Sequence, residues 1–399
     1  MPGGDDAAVR IALLGIAVAM LLGIATAAAA WSGSPLRAGG AERSDLPSTV
    51  YLVATGCAFA LYLIVLVLLR RRGARLATIC ALAAAIQLVP LAGPLLLSRD
   101  AYAYWDYGRL AAVHDANPYV VPPSRFPHDP AERATARAWR GTKSVYGPLF
   151  TAASAGLAST SGHSSEAAAL GYRLAAAAGM VGLALLSAVA APVPAFAAAF
   201  VGWNPLLAVD FAGGGHNDVW MMVFVVTGLA LAARRPRLAG ASWALAVAVK
   251  WVALAYLPLR LLGVARRESL RTAVGFVLAA AAIAGVACLF FGTAWLTAAA
   301  PLAGAHAQWA IPSRAGMFGL PGWIALAPLV LALPWLLRSA RAGRPRLGLA
   351  AALVLVASPW LLPWYAVWAV PLAALDEDRG AWLLTLAVCA YLLPDRVPI

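Results

Sequence analysis

Four ionisable residues stand out in an otherwise apolar chain: Asp100, His216, Lys250 and Arg314. Asp100 directly follows an apolar segment, His216 lies in a glycine-rich stretch, and Lys250 lies inside an apolar segment. A carboxylate near several cations could accept a proton from a hydroxyl group and stabilise an anionic leaving group. An ionisable side chain inside a membrane costs roughly 2.5–3.5 kcal/mol on insertion scales, so such residues usually mark function.

Each of these residues also has an ordinary explanation when it is taken alone. Asp100 could cap a helix. His216 and the following Asn217 could be turn residues, and Lys250 could extend along apolar surface to a membrane interface. The hypothesis of an active site therefore depends on whether the surrounding elements bring these side chains together.

The composition is that of an integral membrane protein. The 399 residues are 62% hydrophobic and 12% charged, with a mean hydropathy of +0.79. Soluble domains are about 45–50% apolar and about 25% charged. The net charge of +13 comes from arginines clustered between apolar segments, as expected for cytoplasmic loops, which argues against a nucleic-acid partner. We expect a multi-pass protein of the cell membrane, surrounded by lipids.

The charges between the apolar segments predict a topology. Four arginines at 70–75 place that loop in the cytoplasm, so the next span crosses outward and leaves residues 98–162 outside. That loop should hold two short helices: 101–113 at the membrane surface, and 146–161 as a surface or re-entrant helix. Residues 292–320 should form a second outer loop. The predicted full spans are 9–31, 50–69, 76–97, 167–190, 195–212, 217–232, 271–291, 321–337 and 381–394. The prediction is one all-α domain over 1–399, a polytopic bundle of about 11 to 13 membrane segments.

Two further apolar segments are better explained as pairs of short helices. Residues 238–262 have basic residues on both sides, and about 25 residues are too few for two full spans at 1.5 Å per residue. A hairpin with Lys250 near its apex fits; the alternative is one ordinary span with 233–237 outside. Residues 347–375 are broken by prolines within 358–365, which predicts a second hairpin whose apex points outward.

The order of the polar motifs resembles a known family. The motifs are Ser98-Arg99-Asp100, Asn117-Pro118-Tyr119, Tyr146-Gly147-Pro148-Leu149, Asn204-Pro205-Leu206, Gly215-His216-Asn217-Asp218 and Pro363-Trp364-Tyr365. Over about residues 76–375 the chain resembles the GT-C membrane glycosyltransferases, and among them the actinobacterial polyprenol-phosphate-mannose-dependent mannosyltransferases.

That resemblance implies an inverting transfer of a hexose, expected to be mannose, from a polyprenyl-phosphate donor to an extracytoplasmic glycolipid or glycan acceptor. It gives Asp100 the role of general base. For the donor phosphate our candidates are Lys250, His216 and Arg314. The candidates for substrate binding are Asn117, Tyr119, Tyr146, Asn217, Asp218 and Tyr365, and the tyrosines could equally anchor the protein at the membrane interface.

The implied reaction needs no cofactor and no metal. A divalent cation held by Asp106, Asp115, Asp129 and Glu132 stays open as an alternative, as in some GT-C oligosaccharyltransferases. A transporter or lipid flippase is the main alternative function, because interrupted helices with charges at half depth also line transport paths. A non-enzymatic assembly subunit, or an enzyme using another polyprenyl-phosphate sugar such as arabinofuranose or glucose, are further alternatives.

Overall fold

The chain folds into a helical bundle, as the composition predicts. The computed structural model describes residues 3–39, 45–302 and 304–398, and over these ranges it contains 19 α-helices and no β-strand. The helices are α1 Gly3–Ala30, α2 Asp45–Arg72, α3 Leu76–Leu88, α4 Asp100–Ala112, α5 Pro130–Ala134, α6 Arg137–Arg140, α7 Pro148–Ser161, α8 Ser165–Ala190, α9 Pro194–Gly202, α10 Pro205–Ala208, α11 Asp218–Leu231, α12 Pro236–Val249, α13 Leu257–Leu262, α14 Arg266–Phe291, α15 Ile311–Met317, α16 Ala327–Arg341, α17 Leu347–Ala357, α18 Val370–Leu375 and α19 Arg379–Leu392. The all-α prediction is confirmed.

Several of these helices are suited to a bilayer by length and composition. Five are long and apolar enough to cross it: Ala8–Ala30, Asp45–Arg71, Ser165–Ala190, Arg266–Phe291 and Gly322–Arg341. A further apolar pair, Pro194–Gly202 and Pro205–Gly213, is bent by 52° and forms either a broken span or a re-entrant loop. Seven shorter apolar helices accompany them. The protein is therefore a polytopic membrane protein built from full spans and shorter segments, in agreement with the prediction.

The arginine-rich turns meet at one end of the bundle, which we call the basic end. Here the Arg70 guanidinium lies 4.3 Å from the ring centroid of Trp382, and Arg346 forms an ion pair with Asp378. Gly263 packs against Pro345 in the same region. Helices α3, α12, α17 and α19 all begin at these turns and lead to the opposite end, which we call the site end.

The predicted hairpin around Lys250 is present. At its start, α12 lies against the first third of α14, where Gly240 leaves no room for a side chain beside the Thr272 carbonyl. At its end, Trp251 stacks on Trp295, which follows α14. The helix ends at Lys250, and the chain then returns through α13 to the basic end at Gly263. The alternative of a single ordinary span is therefore wrong.

The second hairpin is also present. Gly348, at the start of α17, packs against the backbone of Ala373 in α18, and its N–H donates to Asp376 Oδ2 over 2.7 Å. The two helices therefore run in opposite directions, and residues 358–362 form the turn between them at the site end.

The outer loop predicted at 98–162 is folded more tightly than expected. Helix α4 matches the predicted 101–113, but nearly all of its residues from Ala101 to Leu110 are buried in protein. Helix α7 covers it, because Gly108 lets the Ser154 carbonyl approach to a distance that a Cβ atom would forbid. Helix α4 therefore forms an inner layer of the protein beneath α7, and its position at the membrane interface stays a prediction.

Candidate active site

Asp100 is the first residue of α4, and its carboxylate is not used as a helix cap. The N-cap residue is Arg99, and Ser98 Oγ accepts the Asp100 N–H over 3.1 Å. The segment before the helix is held in place where the Leu96 N–H donates to the Gly213 carbonyl over 3.1 Å. The Asp100 side chain is 14% exposed, and Oδ2 lies 3.7 Å from His216 Nδ1. The carboxylate is therefore free to act on a ligand.

The surroundings of Asp100 favour its protonated form. Burial raises the pKa of this carboxyl above its usual range, and the nearby Asp218 adds to the effect. Arg396, Ser98 and Lys250 oppose it by stabilising the carboxylate. A carboxylate with a raised pKa is a stronger base than an exposed aspartate, which suits proton abstraction.

His216 projects from the turn between α10 and α11 into the same place. Gly215 allows that turn with a φ of 76°, in the left-handed region. The imidazole is buried, stacks on Trp364 with ring centroids 3.6 Å apart, and lies 3.5 Å from the Tyr104 hydroxyl. Burial, together with Arg396 and Lys250, lowers the pKa of His216 well below its usual range. The ring is neutral, so it can offer one hydrogen bond but no positive charge.

Lys250 is joined to the buried Asp218 in a partly exposed ion pair. Lys250 Nζ donates to Asp218 Oδ1 over 2.7 Å, and Trp368 Nε1 donates to the same oxygen over 2.6 Å. The ammonium also lies 4.4 Å from the ring centroid of Tyr365. Lys250 and Asp218 therefore neutralise each other at the apex of the hairpin.

Some polar atoms beside this pair have no partner. Asp218 Oδ2 and both polar atoms of the Asn217 side chain are buried without a hydrogen bond to any described residue. Buried polar groups in native proteins are almost always satisfied by protein, water or a ligand. These atoms are unsatisfied polar groups close to Lys250, although neither residue lines the small cavity at Asp100.

The space around these residues is small and closed. Asp100, Tyr146, Lys250 and Tyr365 line a cavity of about 30 Å³, which holds about one water molecule. Pockets for small molecules are usually about 300–1,000 Å³. Leu302, Trp139 and Trp360 also line the cavity, and the two tryptophans meet edge to face with ring centroids 6.5 Å apart. A sugar can enter only if this lining opens.

Three of the predicted site residues lie elsewhere. Arg314 stacks over Trp309, with its guanidinium 4.4 Å from the ring centroid, and does not line the cavity. The Asn117 amide donates to the Phe291 carbonyl over 2.6 Å. The Tyr119 hydroxyl donates to the Tyr146 carbonyl over 3.0 Å. The Asn-Pro-Tyr motif thus attaches the outer loop to the end of α14 and does not contact Asp100.

Arg396 is a site residue that the sequence analysis missed. It follows α19 in a left-handed conformation, with a φ of 68°, and is exposed. Its guanidinium lies 5.3 Å from the ring centroid of Trp364, on which His216 stacks, and it forms no ion pair among the described residues. The signal was available, because Arg396 directly follows a span that was predicted to end outside.

The acids of the loop that could have formed a metal site are used in other ways. Asp129 pairs with Arg109 over 2.8 Å and with His114 over 2.7 Å. Burial raises the pKa of Asp106 to about 7, and Asp129 and Glu132 contribute to the rise. Across the described part of the chain, no three His, Cys, Asp or Glu side chains are grouped to hold a metal.

An apolar groove begins next to the cavity. It has a volume of about 700 Å³ and lies between α7, α14 and the end of α4. Its lining includes Leu149, Val286 and Phe290. Pro148, at one end of the groove, is two residues from Tyr146 in the cavity lining. A long apolar chain could lie in this groove with its polar end near Asp100.

Comparison with known proteins identifies the family. Residues 8–266 match the profile of the alpha-(1->6)-mannopyranosyltransferase N-terminal domain, and this range includes Asp100, His216 and Lys250. The match covers more than half of the chain, so the protein belongs to this family and is an α-mannosyltransferase of the membrane. No curated protein and no solved structure matches the chain.

Proposed function

We propose that the protein transfers mannose from a polyprenyl-phosphate donor to a hydroxyl group of an extracytoplasmic glycolipid or glycan. The observation that carries this proposal is the position of the Asp100 carboxylate, 3.7 Å from a neutral His216 and in one cavity with Lys250. Asp100 takes the proton of the acceptor hydroxyl as its oxygen forms a bond to the anomeric carbon. The bond from that carbon to the phosphate oxygen breaks, and the phosphate leaves with the electron pair. This balance involves no change of oxidation state and no cofactor.

The charges of the site fit an anionic leaving group. Since Lys250 is already paired with Asp218 and His216 is neutral, the unpaired positive charge comes from Arg396. We infer that Arg396 contacts the donor phosphate, with Lys250 next to it. A preorganised cation is most effective where negative charge develops in the transition state.

The apolar groove supports a lipid-linked donor. A prenyl chain lying between α7 and α14 would bring its phosphate to the cavity past Pro148 and Tyr146. The lining of the groove is mostly apolar, with Asp115 and Asn117 as its polar residues, so it favours a hydrocarbon chain over a nucleotide.

Two further features support the proposed orientation and linkage. The site end is opposite to the basic end, and cytoplasmic loops carry the excess of Lys and Arg, which supports an extracytoplasmic active site. A single displacement inverts the anomeric carbon, so a β-linked mannosyl phosphate would give an α-mannoside. The family description supports an α-(1→6) bond.

The proposal is tested with the variant Asp100→Asn. Purified protein supplied with radiolabelled polyprenyl-phosphate mannose and a mannoside acceptor should form a labelled product. Loss of a general base should lower the turnover of the variant about 10²–10⁴-fold.

Asp45→Asn is the matched control, because Asp45 is an exposed acid at the start of α2 at the same end of the bundle. It should keep full activity. Full activity of a folded Asp100→Asn protein would remove the proposed base, and no product with the wild type would remove the donor class.

A further inference from the structure

A second concave site lies in the folded outer loop, apart from the cavity at Asp100. It is a groove of about 600 Å³ between the end of α4, residues 125–133 and the α7–α8 turn. We call it the basic groove; its charged and aromatic lining is Arg109, His114, Arg125, Phe126, His128, Asp129, Arg133 and His163. Three of the five histidines of the chain are among them.

The floor of the basic groove is a closed polar network. Asp129 accepts hydrogen bonds from Arg109 Nε over 2.8 and 3.0 Å and contacts His114 Nε2 at 2.7 Å. Burial favours the protonated acid, but Arg109, the Ala131 amide and His114 outweigh it and lower the pKa of Asp129. Asp129 therefore stays a carboxylate, and its negative charge is compensated by Arg109 and His114 within the floor of the groove.

The rim of the basic groove carries two arginines, Arg125 and Arg133, whose positive charges are not paired with an acidic side chain of the described residues. Arg125 is exposed, and its side chain makes no hydrogen bond or ion pair with any described residue. Arg133 is exposed and uses only Nη2, which donates to the His128 carbonyl over 2.7 Å. With Asp129 neutralised by the floor, the rim attracts an anion. Guanidinium groups are the side chains best suited to phosphate.

The position of the basic groove connects it to the reaction. Arg109 and Asp100 are nine residues apart on one helix, which is about 14 Å along its axis. His163 lies two residues before α8, a candidate span, so the groove lies where a membrane-anchored headgroup would lie. One wall of the groove is flat, because His114 stacks on Phe126 with ring centroids 4.0 Å apart. This wall offers a surface on which the face of a sugar ring can pack.

We propose that the basic groove binds a phosphate group on the acceptor, whose mannosyl end then reaches Asp100. This inference rests on the proposed function, because it assigns the acceptor of that same reaction to an anionic class. The phosphate belongs either to the acceptor's own lipid headgroup or to a free phosphorylated glycan, and the same arginines recognise both.

The test replaces both rim arginines in Arg125→Gln/Arg133→Gln. The matched control is Arg137→Gln/Lys143→Gln, which removes the same charge from exposed positions of the same loop outside the groove. The probe is mannose 6-phosphate, and its binding to full-length protein in phosphatidylcholine nanodiscs is followed by saturation-transfer NMR. All proteins carry Arg396→Gln, so that the unpaired cation of the active site does not contribute.

The rim variant should bind the probe about tenfold more weakly than the control, which is the effect expected for two exposed charged contacts. Binding to the control should also fall as salt rises, since exposed charges are screened. Equal binding to both proteins, or binding that is insensitive to salt, would overturn the proposal. Because this readout needs no turnover, it is independent of whether the transfer assay succeeds.

A second experiment distinguishes a phosphate of a lipid headgroup from the phosphate of a free glycan. Nanodiscs that contain phosphatidylglycerol should displace mannose 6-phosphate if a lipid headgroup occupies the groove, and should leave it bound if the ligand is a free glycan. In transfer assays, the rim variant should raise the KM about tenfold for a phosphorylated mannoside. Its KM for the uncharged mannoside should not change.

Discussion

The neighbours of Asp100 decide between two interpretations of this residue, a helix cap and a catalytic base. At the start of a helix an aspartate commonly accepts the amide hydrogens of the first turn. Here Ser98 accepts the Asp100 N–H, and the carboxylate faces His216 instead. Burial in this position raises the pKa of Asp100, and the guanidinium of Arg396 limits the rise.

A change at Arg396 should therefore move the pH dependence of catalysis. Arg396 stabilises the carboxylate and lowers the pKa of Asp100, so Arg396→Gln should raise that pKa. The base is active only when deprotonated, so the acid limb of log kcat/KM should shift to higher pH in the variant. The KM for the donor should rise as well, because the unpaired cation is gone.

The matched control for this experiment is Arg314→Gln. It removes the same charge from an arginine that also stacks on a tryptophan but lies away from the cavity. Its pH profile should coincide with that of the wild type. Coincident acid limbs for the wild type and Arg396→Gln would contradict the assignment of Arg396 to the site.

At the scale of elements, short helices place the polar residues at one level. The α12 hairpin brings Lys250 to Asp218 at the start of α11, and the turn between α17 and α18 brings Trp364 to His216. If these segments were full spans, the same residues would lie farther along the bundle axis than Asp100 and could not meet it. The same turn also carries Trp360, which meets Trp139 of α6 over the cavity. The elements that build the site therefore also close it.

Locking this closure should stop turnover, because a cavity of about 30 Å³ cannot admit a hexose. Trp139→Cys/Trp360→Cys places one thiol on each side of the contact that the two rings now make. The exposed Cys57 and Cys288 are first changed to Ser. Treatment with a short bifunctional maleimide should abolish transfer by the double variant.

The turnover of each protein is compared before and after treatment. This comparison distinguishes the effect of the cross-link from the effect of removing the tryptophans. The two single-cysteine variants should be insensitive to the reagent. A cross-linked double variant with unchanged turnover would show that this lining need not open.

At the scale of the whole molecule, the two ends of the bundle differ in charge and in function. Arginine-rich turns gather at the basic end, whereas the site end holds the cavity, the apolar groove and the basic groove. A membrane potential and anionic inner lipids favour positive loops in the cytoplasm. This asymmetry supports an active site that faces outward and meets its acceptor there.

The orientation is checked by thiol labelling of intact cells, again without Cys57 and Cys288. Lys143→Cys lies in an exposed position of the outer loop, and Arg235→Cys lies in an exposed turn at the basic end. A maleimide that cannot cross membranes should label the first variant and not the second. Labelling of Arg235→Cys alone would reverse the topology and end the proposal of an extracytoplasmic acceptor.

The sequence alone determined the class of the protein and the order of its membrane segments. The bilayer imposes apolar length on each span and the charge rule on each loop, and both are properties of consecutive residues. The hairpin at Lys250 could be predicted for the same reason, from basic residues on both sides of a segment too short for two spans.

Only the tertiary structure decided how the polar side chains are used. Asp100 and His216 are far apart in the chain, and their contact depends on how α4 packs under α7 and how the 214–217 turn enters the bundle. Packing also paired Lys250 with Asp218, left Arg314 outside and brought in Arg396. These outcomes depend on contacts between helices distant in sequence, and local composition carries no information about such contacts.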